Sequence, residues 1–357
     1  MKLHDIDTPA LVVDLDVMER NIAAIAATLR ERGVAWRPHA KCHKSPAIAR
    51  KLIDEAGAIG VTCQKLGEAE VMADAGIDHI LVANEVVGEA KLRRLIALLQ
   101  RGVDVTIAVD DAGVLERTAA AAREAGVTAA VVVEVNIGQN RCGVEPGEPA
   151  VALAKRAAGT EGIEFRGLMG WEGHVMHHED PERIAREATE AVAKLLDSAA
   201  ACRAAGLRVD WVSCGGTCDY HIVSKLPGVT EVQAGSGIFS DVFYRQRGVP
   251  LEPALTLLAT VVSRKPDRAI VDAGFKALGP PFLRPQPLIE GVERLDIGSA
   301  EHGTLKLTSP EAPIHVGDKV RFIIGYTDMT VFLHDRIYGV RKDEVEQVFE
   351  VTARRLT

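Results

Sequence analysis

Residues 34–44 read Val-Ala-Trp-Arg-Pro-His-Ala-Lys-Cys-His-Lys, and Ser45-Pro46 opens a helical pattern directly after them. A β-branched and aromatic run that ends in cations and then proline reads as a strand delivering Arg37, His39 and Lys41, with Pro46 in the first helical turn. The two-residue period of a strand puts those three side chains on one face. A lysine presented beside other cations at a strand mouth loses part of its preference for the ammonium form, and so becomes a nucleophile near neutral pH. A solvated basic turn is the competing reading.

Three further motifs carry chemistry. Val212-Ser213-Cys214-Gly215-Gly216-Thr217 is a strand that runs into a Gly-Gly-Thr turn. Two glycines let backbone amides point inward as an anion nest, and the threonine hydroxyl adds a donor, a combination that suits phosphate. Ala234-Gly235-Ser236-Gly237 follows the next apolar run and completes the cup, unless both are ordinary glycine turns. Gly138-Gln139-Asn140-Arg141-Cys142-Gly143 is a glycine-bracketed loop presenting a guanidinium, a planar and permanently charged fork for an anionic oxygen, or else a surface arginine. Residues 325–335 are rich in oxygen donors and suit either a hard cation or a hairpin turn.

Elements must place these groups. Apolar, β-branched runs cover 34–40, 59–63, 79–84, 104–110, 129–136, 165–171, 209–216 and 229–235. Helical spacing fills the intervals, as at 67–75, 88–101, 112–125 and 181–205. Eight strands, each trailed by a helix, predict a (β/α)8 TIM barrel, the structural alternative being a doubly wound open sheet. The polar residues Lys41, Gln64, Asn84, Asp110, Asn136, Arg141, Glu172, Ser213 and Gln233 fall at or just past strand ends, where barrel enzymes gather their catalytic groups. After about residue 245 long helical patterns give way to short β runs at 257–263, 269–272, 319–325, 336–341 and 346–352, with 10–14 available to join them. The expectation is a barrel over 16–245 and a C-terminal all-β domain formed by 1–15 and 246–357.

Bulk properties narrow the class. The 357 residues are 47% hydrophobic with a formal charge of −8, which provides a large core and argues against a nucleic-acid partner. Six cysteines are scattered with no metal-finger or redox spacing, no apolar run is long enough to span a membrane, and the first residues lack a secretory signal pattern. A cytoplasmic protein with reduced thiols is expected.

Taken jointly, these motifs resemble the fold-type III pyridoxal-phosphate enzymes of the alanine racemase type, and within them the D-threonine aldolase and D-serine dehydratase branch. The resemblance runs nearly end to end, through 7–14, 37–44, 62–70, 138–143, 214–217, 299–303 and 333–341. It implies pyridoxal 5'-phosphate as cofactor, with Lys41 binding it covalently and Arg141 contacting its phenolic oxygen. Gly215, Gly216, Thr217, Gly235 and Ser236 would hold the phosphate, and Gln64, Trp171 and Ser213 would also line the cofactor. His177 corresponds to a histidine near the substrate hydroxyl. The family's metal pair, for manganese or magnesium, falls on Tyr326 and Asp328, where tyrosine stands in place of histidine, a poorer ligand. Trp171-Glu172 likewise replaces a Tyr-His or Tyr-Gln pair.

The implied function is retro-aldol cleavage of a D-β-hydroxy amino acid to glycine and an aldehyde by a homodimer acting on small molecules. The alternatives are a D-serine or 3-hydroxy-D-aspartate dehydratase, an amino-acid racemase, or a non-catalytic pyridoxal-phosphate-binding protein.

Overall fold

A computed structural model describes residues 1–279 and 283–356. In chain order its strands are β1 (Ala10–Asp14), β2 (Ala35–Trp36), β3 (Val61–Cys63), β4 (His79–Glu85), β5 (Asp104–Val109), β6 (Ala129–Glu134), β7 (Ile163–Met169), β8 (Trp211–Cys214) and β9 (Glu231–Val232). They continue with β10 (Leu255–Lys265), β11 (Arg268–Val271), β12 (Gln286–Pro287), β13 (Val292–Ile297), β14 (Gly303–Leu307), β15 (Lys319–Ile323), β16 (Arg336–Arg341) and β17 (Glu344–Glu350). The chain divides into two compact units, one of residues 25–41, 49–235 and 356–357, the other of residues 1–24, 42–48 and 236–355.

The first unit holds an all-parallel sheet in the order β2-β9-β8-β7-β6-β5-β4-β3. Its two end strands meet through a parallel bridge between His39 and Thr62, and the Thr62 amide donates to the Pro38 carbonyl at 2.9 Å. The sheet is therefore closed, as the (β/α)8 reading expected. Helices such as Leu66–Asp74, Glu89–Gln100, Ala112–Glu124, Glu148–Gly159 and Pro181–Ala204 alternate with the strands. Covered on both faces, the strands are apolar almost throughout rather than alternating. In β6 all six residues, Ala-Ala-Val-Val-Val-Glu, are buried. Closing the barrel brings the C-terminal ends of all eight strands to one rim, and the candidate site is built there.

The second unit carries a mostly antiparallel sheet ordered β13-β14-β11-β10-β1-β16-β17, with β15 beside β10 and β12 beside β15. The β1 run does join it, antiparallel to β10 and parallel to β16. Long β10 changes partners along its length, flanked by β1 and β15 in its first half and paired with β11 in its second, with an irregularity between Val261 and Ser263. Residues 325–335 form a helical turn (Thr327–Thr330) continued by a 3-10 turn (Val331–Leu333), not a hairpin. Asp241 imposes this shape, since its buried carboxylate accepts from both the amide (2.7 Å) and the hydroxyl (2.8 Å) of Thr327.

Candidate active site

Lys41 does not lie on the strand face shared with Arg37 and His39. Ladder bonds from the Arg37 and His39 amides to Val232 and Gln233 continue the β2 line, but Ala40–Cys42 then closes into a 3-10 turn that carries Lys41. Arg37 is not the neighbouring cation that the two-residue period suggests. Its side chain is 4% exposed, stacks 4.4 Å from the Trp211 ring and forms a buried ion pair with Glu231, with Nη2 to Oε2 at 3.1 Å. Glu231 also accepts from Ser213 Oγ at 2.8 Å, and Gln233 Nε2 donates to the same hydroxyl at 2.8 Å. Ser213, expected to face a cofactor, thus has its hydroxyl engaged in this network beneath the rim.

Trp171 gathers the reactive cations. The ring lies 5.3 Å from Lys41 Nζ and 4.8 Å from the Arg141 guanidinium carbon. An indole face attracts such cations through its quadrupole, which brings a primary amine and a permanent positive charge to one flat surface. Gln64 stands at the β3 end, its Oε1 3.3 Å from His39 Nε2 and its Nε2 donating to the Ala83 carbonyl at 3.2 Å.

The glycine turns are shaped by close approach. Gly215 has φ +78°, and a Cβ there would come within 2.8 Å of Val223. At Gly216 a Cβ would meet only Trp171 Nε1, at 3.7 Å, so this side of the turn is open backbone. At Gly235 a Cβ would lie 2.3 Å from the His39 carbonyl oxygen, so the end of β9 abuts the β2 line backbone to backbone. The Gly216 amide already donates to Asp219 Oδ1 at 2.8 Å, which leaves fewer free amides than a complete nest. Thr217 is buried beside it.

Two carboxyl pairs stand near the site; of their members the sequence reading named only Glu172, and neither pairing. Glu172 and Asp219 are both buried next to the Gly-Gly-Thr turn, and burial followed by the Asp219 charge pushes Glu172 well above the carboxylate range. A proton held on Glu172 lowers the negative charge that the pair presents toward an anion at the turn. The second pair, Glu134 with Glu85, stands at the ends of β6 and β4; burial and then Glu85 push Glu134 up to about 8. A lone acid closing an otherwise apolar strand was the available signal for Glu134. His177 is exposed at the end of the 3-10 segment Gly173–His177, whereas His174 on the same segment lies against the arginine loop, where a Cβ on Gly138 would come within 2.6 Å of its ring.

In the second unit, Ser236 donates to Asp328 Oδ1 at 2.8 Å. Tyr326 packs 5.0 Å from Phe243, ring to ring, and burial together with Asp328 and Asp241 pushes its phenol far above the ordinary tyrosine value. A neutral phenol beside a carboxylate that already accepts a hydroxyl is not a divalent-metal donor set, so these residues do not fit the metal pair. The amine, guanidinium, indole and glycine turns of the barrel do fit a flat, phosphorylated aldehyde cofactor.

Comparison with known proteins bears on the fold and the family. The model described as alanine racemase, N-terminal domain, matches residues 13–242. The chain belongs to that family. A serine dehydratase domain model matches residues 254–340. Family members similar over nearly the whole chain include the D-threonine aldolase of an Arthrobacter species, 37% identical across 99% of this chain and 94% of its own. The 3-hydroxy-D-aspartate aldolase of Paracoccus denitrificans is 35% identical with the same coverage. The crystal structure of D-threonine aldolase from Filomicrobium marinum superposes with a TM-score of 0.95 at 40% identity, covering 99% of this chain and 97% of that one. The racemase-type fold and the aldolase branch read from the motifs are borne out.

Proposed function

We propose that this protein is a pyridoxal-phosphate-dependent lyase that cleaves D-β-hydroxy amino acids to glycine and an aldehyde. The observation that carries the reading is the meeting of Lys41 and Arg141 on Trp171, at a barrel rim whose relatives are aldolases. When bound, pyridoxal phosphate supplies an electron sink for the pair released as the Cα–Cβ bond breaks. Lys41 would hold the cofactor through its amine. Arg141 would offer its fork to the phenolic oxygen, and Gly215, Gly216, Thr217 and Gly235 would hold the phosphate. His177 takes the proton of the β-hydroxyl, and positioned base catalysis of this kind contributes about 10²–10⁴-fold.

Dehydration is disfavoured because hydroxide leaves poorly without a Lewis acid, and Tyr326 with Asp328 is a weak site for one. We assign the barrel to 16–245, the β-domain to 1–15 and 246–357, and a homodimer as the working form.

Borohydride reduction should fix the cofactor on Lys41, and a Lys41→Ala protein that still forms the reduced adduct would refute the assignment. D-Threonine, D-threo-3-hydroxyaspartate, D-serine and D-alanine are then assayed separately. Glycine plus aldehyde is the expected product; keto acid with ammonia would make the protein a dehydratase, and inversion alone a racemase.

A further inference from the structure

The loop that presents Arg141 is pinned at both ends, and its base is Glu134. The Val144 amide donates to the Glu134 carbonyl at 2.9 Å, the Asn136 amide donates to the Val144 carbonyl at 2.8 Å, and the Gly143 amide donates to Asp110 Oδ2 at 3.0 Å. The loop backbone is therefore ordered. The arginine side chain, 43% exposed, still has to be placed, and an aromatic face alone leaves a long side chain free to exchange rotamers. Glu134, 5% exposed, faces it with Oε1 3.8 Å from Arg141 Nη2. Behind Glu134 stand Glu85, Asp110 and Cys142, whose ligand-capable atoms lie within 4.8 Å of one another. Glu134 Oε2 and Glu85 Oε1 are buried and meet no N–H or O–H donor.

We propose that Glu134, backed by Glu85, positions Arg141 over the face of Trp171, ready for the anionic oxygen that the proposed function assigns to it. The inference rests on that reading for its purpose, but not for its geometry. Burial first, then Glu85 and Asp110, favour the proton on Glu134, Arg141 opposes it, and the balance falls at about 8. Cys142 adds no charge near neutrality, because burial and the same carboxylates push its thiol up to about 11. Glu134 thus adds its negative charge opposite Arg141 as pH rises through about 8, and below that its neutral carboxyl still faces the guanidinium without placing a second like charge beside Glu85.

Glu134→Gln keeps the size and removes the charge that Glu134 carries above about pH 8, whereas Glu134→Asp keeps a carboxyl that can ionise. At pH 9 the Gln variant should bind pyridoxal phosphate about tenfold more weakly, between what exposed and buried ion pairs lose, and the Asp variant should recover most of the affinity. In the apoprotein, one component of the protonated-carboxyl infrared band should titrate near pH 8 and be lost in Glu134→Gln, whose Arg141 should react several-fold faster with phenylglyoxal above that pH. These apoprotein readouts stand even if wild type forms no adduct at Lys41, which would sink the proposed function alone. A Gln variant that matches wild type while Asp does not would overturn the inference, since shape and not charge would then matter. So would stoichiometric Co²⁺ binding with a thiolate charge-transfer band lost in Cys142→Ser, since a cation would then occupy the proton's place.

Discussion

Glu231→Ala should be among the most damaging single substitutions in the barrel, although of the residues read as lining the site Glu231 touches only Ser213, whose hydroxyl it engages beneath the rim. The carboxylate is 3% exposed and accepts from Arg37 Nε at 3.1 Å, Arg37 Nη2 at 3.1 Å and Ser213 Oγ at 2.8 Å. Its removal strands a guanidinium that is itself 4% exposed and keeps the Trp211 face, 4.4 Å away. Breaking a buried pair from one side costs about 3–5 kcal/mol, because the remaining charge is desolvated and unpaired. Stability of a domain is typically about 5–15 kcal/mol, so this is about a fifth of it or more. Arg37→Ala should cost a similar amount. The double variant Arg37→Met/Glu231→Leu should lie within about 2 kcal/mol of wild type, since apolar groups of like volume replace both charges and only the Ser213 hydroxyl loses an acceptor. Urea denaturation followed by circular dichroism measures all three; urea is preferred because guanidinium chloride would screen the pair. Single variants costing under about 1 kcal/mol, or a double variant equal to the sum of the singles, would refute the argument.

Three other outcomes follow from the same physics. Gly235→Ala should destabilise the barrel by about 3 kcal/mol or more and abolish cofactor binding, because its Cβ would lie 2.3 Å from the His39 carbonyl oxygen and backbone cannot step aside; normal thermal unfolding of that variant would contradict this. His43 is fully buried, and burial pushes its pKa down from 6.5 to about 3. Between those values the unfolded chain binds the proton and the folded one does not, so this contribution is lost as pH falls, at about 1.4 kcal/mol per pH unit; urea midpoints at pH 7, 5 and 4 should flatten in His43→Gln. Tyr326→His should raise Mn²⁺ affinity at least about tenfold by replacing a buried phenol with imidazole beside Asp328, and unchanged binding in a paramagnetic-resonance titration would remove Asp328 from consideration as a ligand.

The strands of the barrel were legible because burial on both faces writes them as unbroken apolar runs, and β6, with six buried residues of six, is the clearest case. Strands β12, β13 and β14 were not. Gln286–Pro287 is two residues long, and in Val292–Ile297 only Leu295 is fully buried, so no period stands out. Strand β14 does alternate, with Thr304 and Lys306 outward, but five residues between glycine and a loop are easily passed over. Residues 325–335 misled for a different reason. Their helical turn is imposed by the carboxylate of Asp241, which is 86 residues away in sequence from its partner Thr327.

The same distinction separates what could be read of the site from what could not. Lysine, arginine and glycine announce themselves, because an amine, a fork and a positive φ are properties of single residues in short motifs. Partners do not announce themselves. Arg37 and Glu231 are 194 residues apart and meet because barrel closure makes β2 and β9 neighbours, and no local pattern contains that register. Their meeting also changes the chemistry inferred for Lys41, since a cation that appears adjacent in sequence is neutralised by an acid from a strand distant in sequence. One local clue does survive. An acid inside an apolar strand, as at Glu134 or Glu231, is too costly to bury unpaired, so its presence asserts a partner before the fold supplies the name.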